Sequence, residues 1–236
     1  MKNFFYFLCR FFKSHKYDLI VSTGDGCVTS AALRDLKLQK MSYPFDWLGN
    51  CSIGFCGTVD FICSGWEGFL KKEDLVFVYE YQDIAAYKSV STNVVFNHDF
   101  KKDIPFEEQF ASVKEKYNRR VKRLLDNIRA SKRILLVYIE CLGDYSNSIS
   151  IGSLKDSLQK LNDTFPGTSF SITYICNNED RLNNDKYDFK NKIYYKYVSK
   201  NIELIKINNY LRHHCYLWKG NYPVILKILS KCRLRD

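Results

Sequence analysis

Short apolar runs of strand length alternate along the chain with longer stretches whose apolar positions recur at helical spacing. Runs over residues 19–21, 75–79, 133–140, 170–176 and 193–198 predict strands, and a further run over 90–96 predicts a short strand at a sheet edge. Helical spacing covers residues 28–36, 51–70, 106–131, 152–164, 200–214 and 222–231. In the stretch 106–131, Phe110, Val113, Tyr117, Val121, Leu124, Leu125 and Ile128 share one face while Lys, Arg and Glu fill the other. Strands separated by helices predict an α/β class with a mainly parallel sheet flanked by helices. No internal repeat or long low-complexity linker interrupts the pattern. Residues 17–236 therefore read as a single α/β domain behind an arm at 1–16.

In open parallel sheets, ligands collect outside the carboxyl ends of the strands. At the end of the first strand the chain reads Ser22-Thr23-Gly24-Asp25-Gly26-Cys27-Val28 before the helical stretch. Gly24 and Gly26 bracket a turn that needs unusual backbone angles, and Cys27 stands at or beside the first helical residue. Helix-terminal N–H groups and the positive end of the helix dipole favour a thiolate there, which makes Cys27 a candidate nucleophile. The backbone of the turn from Gly24 and Gly26 to Val28 is then a candidate oxyanion site, and Asp25 a candidate substrate contact. A cysteine that merely packs beneath the turn fits the same residues.

The remaining chemistry follows the chain. Ser42-Tyr43-Pro44-Phe45-Asp46-Trp47 reads as an ordered loop, because Pro44 keeps Tyr43 out of the helical region. In it Ser42 and Trp47 are candidate substrate contacts, and Asp46 either orients a histidine or substrate, or caps the following turn. His98, expected at the end of the 90–96 strand, is the candidate general base. Asp99 is a candidate substrate contact and is not expected to orient His98, since neighbouring strand side chains point to opposite faces. His213 and His214 diverge on one helix and make a poor metal pair.

Composition narrows the setting more than the chemistry. The 236 residues carry a formal charge of +10 and a pI near 9.1, which suits an anionic partner. Solvated lysine-rich faces give the same balance, and no zinc-finger spacing or RNP-like motif is present, so nucleic acid is not an expected partner. The nine cysteines form no C-x-x-C pair, which fits free thiols in a reducing cytoplasm and no metal. Residues 4–12 are aromatic and broken by Arg10, too short to span a bilayer. They either lie on a membrane surface, on the cytoplasmic face of the inner membrane, or pack on the domain.

Three segments together, Gly24-Asp25-Gly26-Cys27 with Ala31-Ala32-Leu33-Arg34, Ser42 to Trp47, and His98-Asp99-Phe100, resemble a bacterial family of papain-like cysteine peptidases. Its pattern is Ser-Leu-Gly-x-x-Cys-x-x-Ala-x-x-Leu-Arg, then Ser-x-Pro-Phe-Asp-Trp, then His-Asp-Phe; the departures are slight, among them Thr23 in place of Leu. The resemblance covers the first hundred residues. It implies a thiol-dependent acyl hydrolase with Cys27 as nucleophile and His98 as its base, a peptide substrate and no cofactor.

A looser resemblance, of Gly24 to Cys27 alone, is to the acetyltransferases of capsule biosynthesis that open on Gly-Asn-Cys-Gln. It implies the alternative of a coenzyme A-dependent O-acyltransferase acting on a surface polysaccharide or other sugar, with Arg34, Lys37 or Lys40 meeting the cofactor phosphates; an acylated glycan is then the alternative to a peptide as substrate. A non-catalytic protein whose glycine turn cradles a phosphate or glycan is the third reading.

Overall fold

The computed structural model describes residues 15–49, 52–140, 149–176, 186–188, 193–197 and 222–235. In chain order the strands are β1 (His15–Tyr17), β2 (Leu19–Ser22), β3 (Leu48–Gly49), β4 (Leu75–Tyr81), β5 (Ile84–Ser89), β6 (Val95–Lys101), β7 (Arg133–Ile139), β8 (Ser169–Cys176), β9 (Lys186–Asp188), β10 (Ile193–Tyr197) and β11 (Cys232–Leu234). The helices are α1 (Cys27–Asp35), α2 (Gly54–Cys63), α3 (Phe106–Ala130), α4 (Ile151–Thr164) and α5 (Tyr222–Leu229). The expected helix over 200–214 and the residues 4–12 lie outside the described residues.

The class is α/β. β2, β7, β8 and β10 form a parallel sheet in that order, closed by antiparallel β9. β2, β7 and β8 are buried on both faces, as parallel strands need to be. One face, with Leu19, Val21, Ile134, Leu136, Tyr138, Phe170 and Ile172, packs with residues of α2, α3 and α4 in the larger core. The other, with Ile20, Leu135, Val137 and Ile139, packs with Val28, Ala32 and Leu33 of α1 and Ile225 and Leu229 of α5. At the amino ends of the strands, the Asp18 carboxylate accepts the Lys132 and Arg133 N–H groups at 2.9 and 2.8 Å, fixing β2 beside β7. β1 pairs in parallel with β11, so residues from near the two ends of the chain meet.

The apolar run near residue 75 belongs elsewhere. β3, β6, β5 and β4 form a second, wholly antiparallel sheet in that order. The expectation that the 75–79 strand joins the parallel sheet is therefore corrected: β4 is an edge strand, with Val76, Phe77, Val78 and Tyr79 between 44% and 55% exposed. An apolar run on both faces signals a doubly buried strand, and here it does not decide the sheet. The strand expected over 90–96 is also displaced. Ser89 to Thr92 turn around the Asp74 carboxylate, which accepts from the Ser89 and Ser91 hydroxyls, and β6 begins only at Val95, between β3 and β5 rather than at an edge. His98 thus lies inside a strand, not at its end.

The pairing of β5 with β6 is irregular where it matters. Ala85 faces Phe100 and Tyr87 faces Phe96, so the three residues Asn97, His98 and Asp99 stand opposite Ala86 alone. This is a β-bulge, which breaks the two-residue alternation and re-aims the side chains it contains. Phe96 and Phe100 remain buried on either side of it and join the larger core.

Candidate active site

The turn between β2 and α1 is built from close approach. Thr23 and Asp25 donate their N–H groups to Val137 and Ile139 of β7, at 2.9 and 3.4 Å, so the chain continues along the sheet past the end of β2. At Gly24 an added Cβ would sit 1.8 Å from the Thr29 hydroxyl, which in turn accepts the Ile139 N–H at 3.2 Å. The position admits no side chain while Thr29 bridges α1 to β7. Gly26 has φ of 76°, a left-handed backbone that glycine adopts without strain, and serves as the N-cap of α1 with no side-chain cap. Cys27 is then the first helical residue, at the positive end of the dipole.

His98 reaches this point from the antiparallel sheet. Cys27 Sγ and His98 Nε2 are 3.4 Å apart, a thiol–imidazole hydrogen bond bridging 71 positions of sequence. The surrounding protein desolvates the imidazole and holds its pKa below the usual value, against the opposing pull of Asp99. His98 is therefore a neutral acceptor near pH 7.

The segment that joins the two sheets is anchored by Asp46, which is fully buried. Its carboxylate accepts from Arg34 at 2.9 Å, from the Gln39 amide at 2.9 and 2.8 Å, and from the Tyr43 N–H at 3.0 Å. Burial raises its pKa while Gln39, Tyr43 and Arg34 oppose that rise. Every partner is a donor, so the group is held as a carboxylate. Ser30 of α1 donates to the Asp46 carbonyl at 2.9 Å, and Gln39 accepts the Ser22 N–H at 3.1 Å. The loop is thereby locked to the helix that carries Cys27 and to the strand before it. Trp47 follows directly, and β3 then pairs Leu48 with Phe96. That register sets Trp47 beside the bulge, where its ring meets His98 at 5.8 Å between centroids and 83° between planes.

Several expected roles change. Asp46 does not orient His98: its oxygens are taken by Arg34, Gln39 and Tyr43. Asp25 is only 4% exposed and offers no surface to a substrate in this conformation. Ser42 accepts Arg34 on its hydroxyl at 3.0 Å and Arg123 on its carbonyl at 2.9 Å, so it holds the loop rather than a ligand. Asp99 is almost wholly buried in an ion pair with Lys116, and accepts the Tyr117 hydroxyl at 2.8 Å, which pins β6 to α3. Arg34 is committed to Asp46 and Ser42, which withdraws it from the phosphate-binding role of a coenzyme A reading. Val28 is buried in the core behind the turn, and only its backbone remains a candidate for the oxyanion site. The sequence does not single out Gln39 and Thr29: Gln39 uses both ends of its amide, on the Ser22 N–H and on the Asp46 carboxylate, and Thr29 its hydroxyl on the Ile139 N–H, contacts that leave no periodic signal.

Comparison with known proteins follows from this geometry. Searches of curated proteins and of solved structures give no match. Residues 18–180 match the model of the family described as "Putative papain-like cysteine peptidase (DUF1796)". Because the match spans well over half of the 236 residues and includes both Cys27 and His98, the chain belongs to that family.

Proposed function

We propose that the chain is a thiol hydrolase in which Cys27 is the nucleophile and His98 its general base, acting on the acyl bond of a peptide. The observation that carries this reading is the 3.4 Å approach of Cys27 Sγ to His98 Nε2 at the first turn of α1. With its proton on Nδ1, neutral His98 accepts the thiol proton on Nε2 as sulfur bonds to the acyl carbon. Negative charge on the former carbonyl oxygen is met by the N-terminal backbone of α1. His98 returns its proton to the leaving amine, a thioester remains on Cys27, and a water deprotonated by His98 then releases the acid and regenerates the thiol.

Alkylation of Cys27 followed by mass spectrometry against pH tests the pair. His98→Ala is expected to slow the reaction at pH 7 by about tenfold, since one unit of thiol pKa is a tenfold change in thiolate near neutrality. The pH sign follows from His98. Its pKa is lowered, so it stays a base to a more acidic pH than an ordinary histidine and is protonated only below about 6.5. The acid limb of the wild-type profile should therefore fall below that value. Competition from other thiols is weak at two sites: burial pushes Cys232 up to about 11 and raises Cys63 as well. A Cys27 rate that is indifferent to His98→Ala overturns the proposal.

A further inference from the structure

Among the described residues, no carboxylate or amide steadies His98 in the way usual for a catalytic histidine. Among the described residues its one polar contact is Cys27 Sγ, and Asp99, next in sequence, is spent on Lys116 and Tyr117. Asp46, one residue before Trp47, is enclosed by Arg34, Gln39 and Tyr43. What does touch the imidazole is the Trp47 ring, edge to face.

Trp47 is itself held from two sides. The Arg34 guanidinium lies over its ring at 5.4 Å from the centroid, and that guanidinium is fixed by Asp46 at 2.9 Å and by Ser42 at 3.0 Å. On the other side the β3–β6 pairing begins one residue later, at Leu48. An indole so clamped has little freedom to move, and a histidine ring packed at right angles against it is restricted in turn. We infer that Trp47 is the positioning residue for His98: a hydrocarbon wall, kept in place by Arg34 and Asp46, that holds the imidazole with Nε2 toward Cys27. The inference rests on the Cys27–His98 reading and assigns the orienting task, given in many hydrolases to a carboxylate or amide, to an aromatic contact.

The test compares Cys27 alkylation across pH in the wild type, Trp47→Leu, Trp47→Phe and His98→Ala. Without the wall, His98 samples the other staggered wells of its side chain, so Trp47→Leu is expected to lower the rate at pH 7 by about threefold to tenfold. Trp47→Phe keeps an aromatic wall and is expected to stay within about twofold of wild type by the same argument. NMR titration supplies a readout that a merely structural role would not move. In Trp47→Leu the His98 pKa should rise toward about 6.5 as the desolvating ring is lost, and in Trp47→Phe it should stay low. Trp47 is only partly buried and leucine fills much of its space, so the variant should fold; Trp47→Met gives the same reading if it does not. A folded Trp47→Leu with wild-type rate and titration, beside a slow His98→Ala, overturns this inference and leaves the catalytic pair standing. A His98→Ala that reacts like wild type removes both.

Discussion

Asp46→Ala is expected to lower the unfolding free energy by about 3 kcal/mol, because the substitution strands buried donors instead of deleting an isolated charge. The Gln39 amide and the Tyr43 N–H lose their acceptor inside the protein, whereas Arg34, 36% exposed, recovers part of its loss from water. Burial raises the pKa of this carboxylate, so ionised Asp46 costs something to enclose, and its donors offset that cost. Removing the carboxylate therefore exposes what it was compensating. For a chain of this size the melting temperature should drop by roughly 6–12 °C. The Cys27 alkylation rate should fall as well, since Arg34 and Trp47 lose their anchor. A melting temperature unchanged within about 2 °C would show that the donors find other partners.

Gly24→Ala acts in the turn between β2 and α1, just ahead of Cys27. The new Cβ lies 1.8 Å from Thr29 Oγ1, 2.7 Å from Thr29 Cβ and 3.1 Å from the Ile139 nitrogen, so backbone and side chain both have to move. Overpacking at a buried, hydrogen-bonded point of this kind costs about 3 kcal/mol. Truncating the partner does not repair it, because Thr29→Ala leaves the Cβ contact at 2.7 Å and strips the Ile139 N–H of its acceptor. A Gly24→Ala/Thr29→Gly double variant removes both Thr29 contacts and leaves the 3.1 Å approach to the Ile139 nitrogen, at the expense of that N–H's acceptor and of a glycine within α1. Thermal unfolding of the single and double variants separates the steric term from the lost hydrogen bond. A single variant as stable as the wild type would mean that the turn relaxes freely.

The strand, turn and helix around Cys27 were legible in the sequence because everything that shapes them is local: a short apolar run, two glycines, then helical spacing. The long helix α3 was legible for the same reason, its buried Phe110, Val113, Tyr117, Leu124 and Ile128 all lying on the expected face. The role of Asp46 was legible in part: the capping alternative holds, since its carboxylate accepts the Tyr43 N–H at the start of the Pro44–Trp47 turn, but the rest of its network was not. Its partners Arg34, Gln39 and Tyr43 come from a helix and a loop whose meeting depends on tertiary packing, so the same aspartate equally suited a histidine orienter. β4 misled for a physical reason: its Val-Phe-Val-Tyr run has the composition of a doubly covered strand, yet among the described residues it stands at an exposed edge. The sequence points to His98 as a residue beside a loop, and what frees it from the strand alternation is a bulge whose two extra residues leave no mark in composition.

That bulge makes the approach of His98 to Cys27 a matter of counting. Phe96 and Phe100 are moored in the core, and the length of chain between them decides which way His98 points. Any side chain at Asn97 is one choice among many, but deleting a residue from the Asn97-His98-Asp99 triplet would pull the strand toward regular pairing and turn the imidazole toward another face. Insertions and deletions, ordinarily absorbed by surface loops, are here the changes to which the site has least tolerance. A library that varies length at this point should lose Cys27 reactivity far more often than one that varies the identity of Asn97.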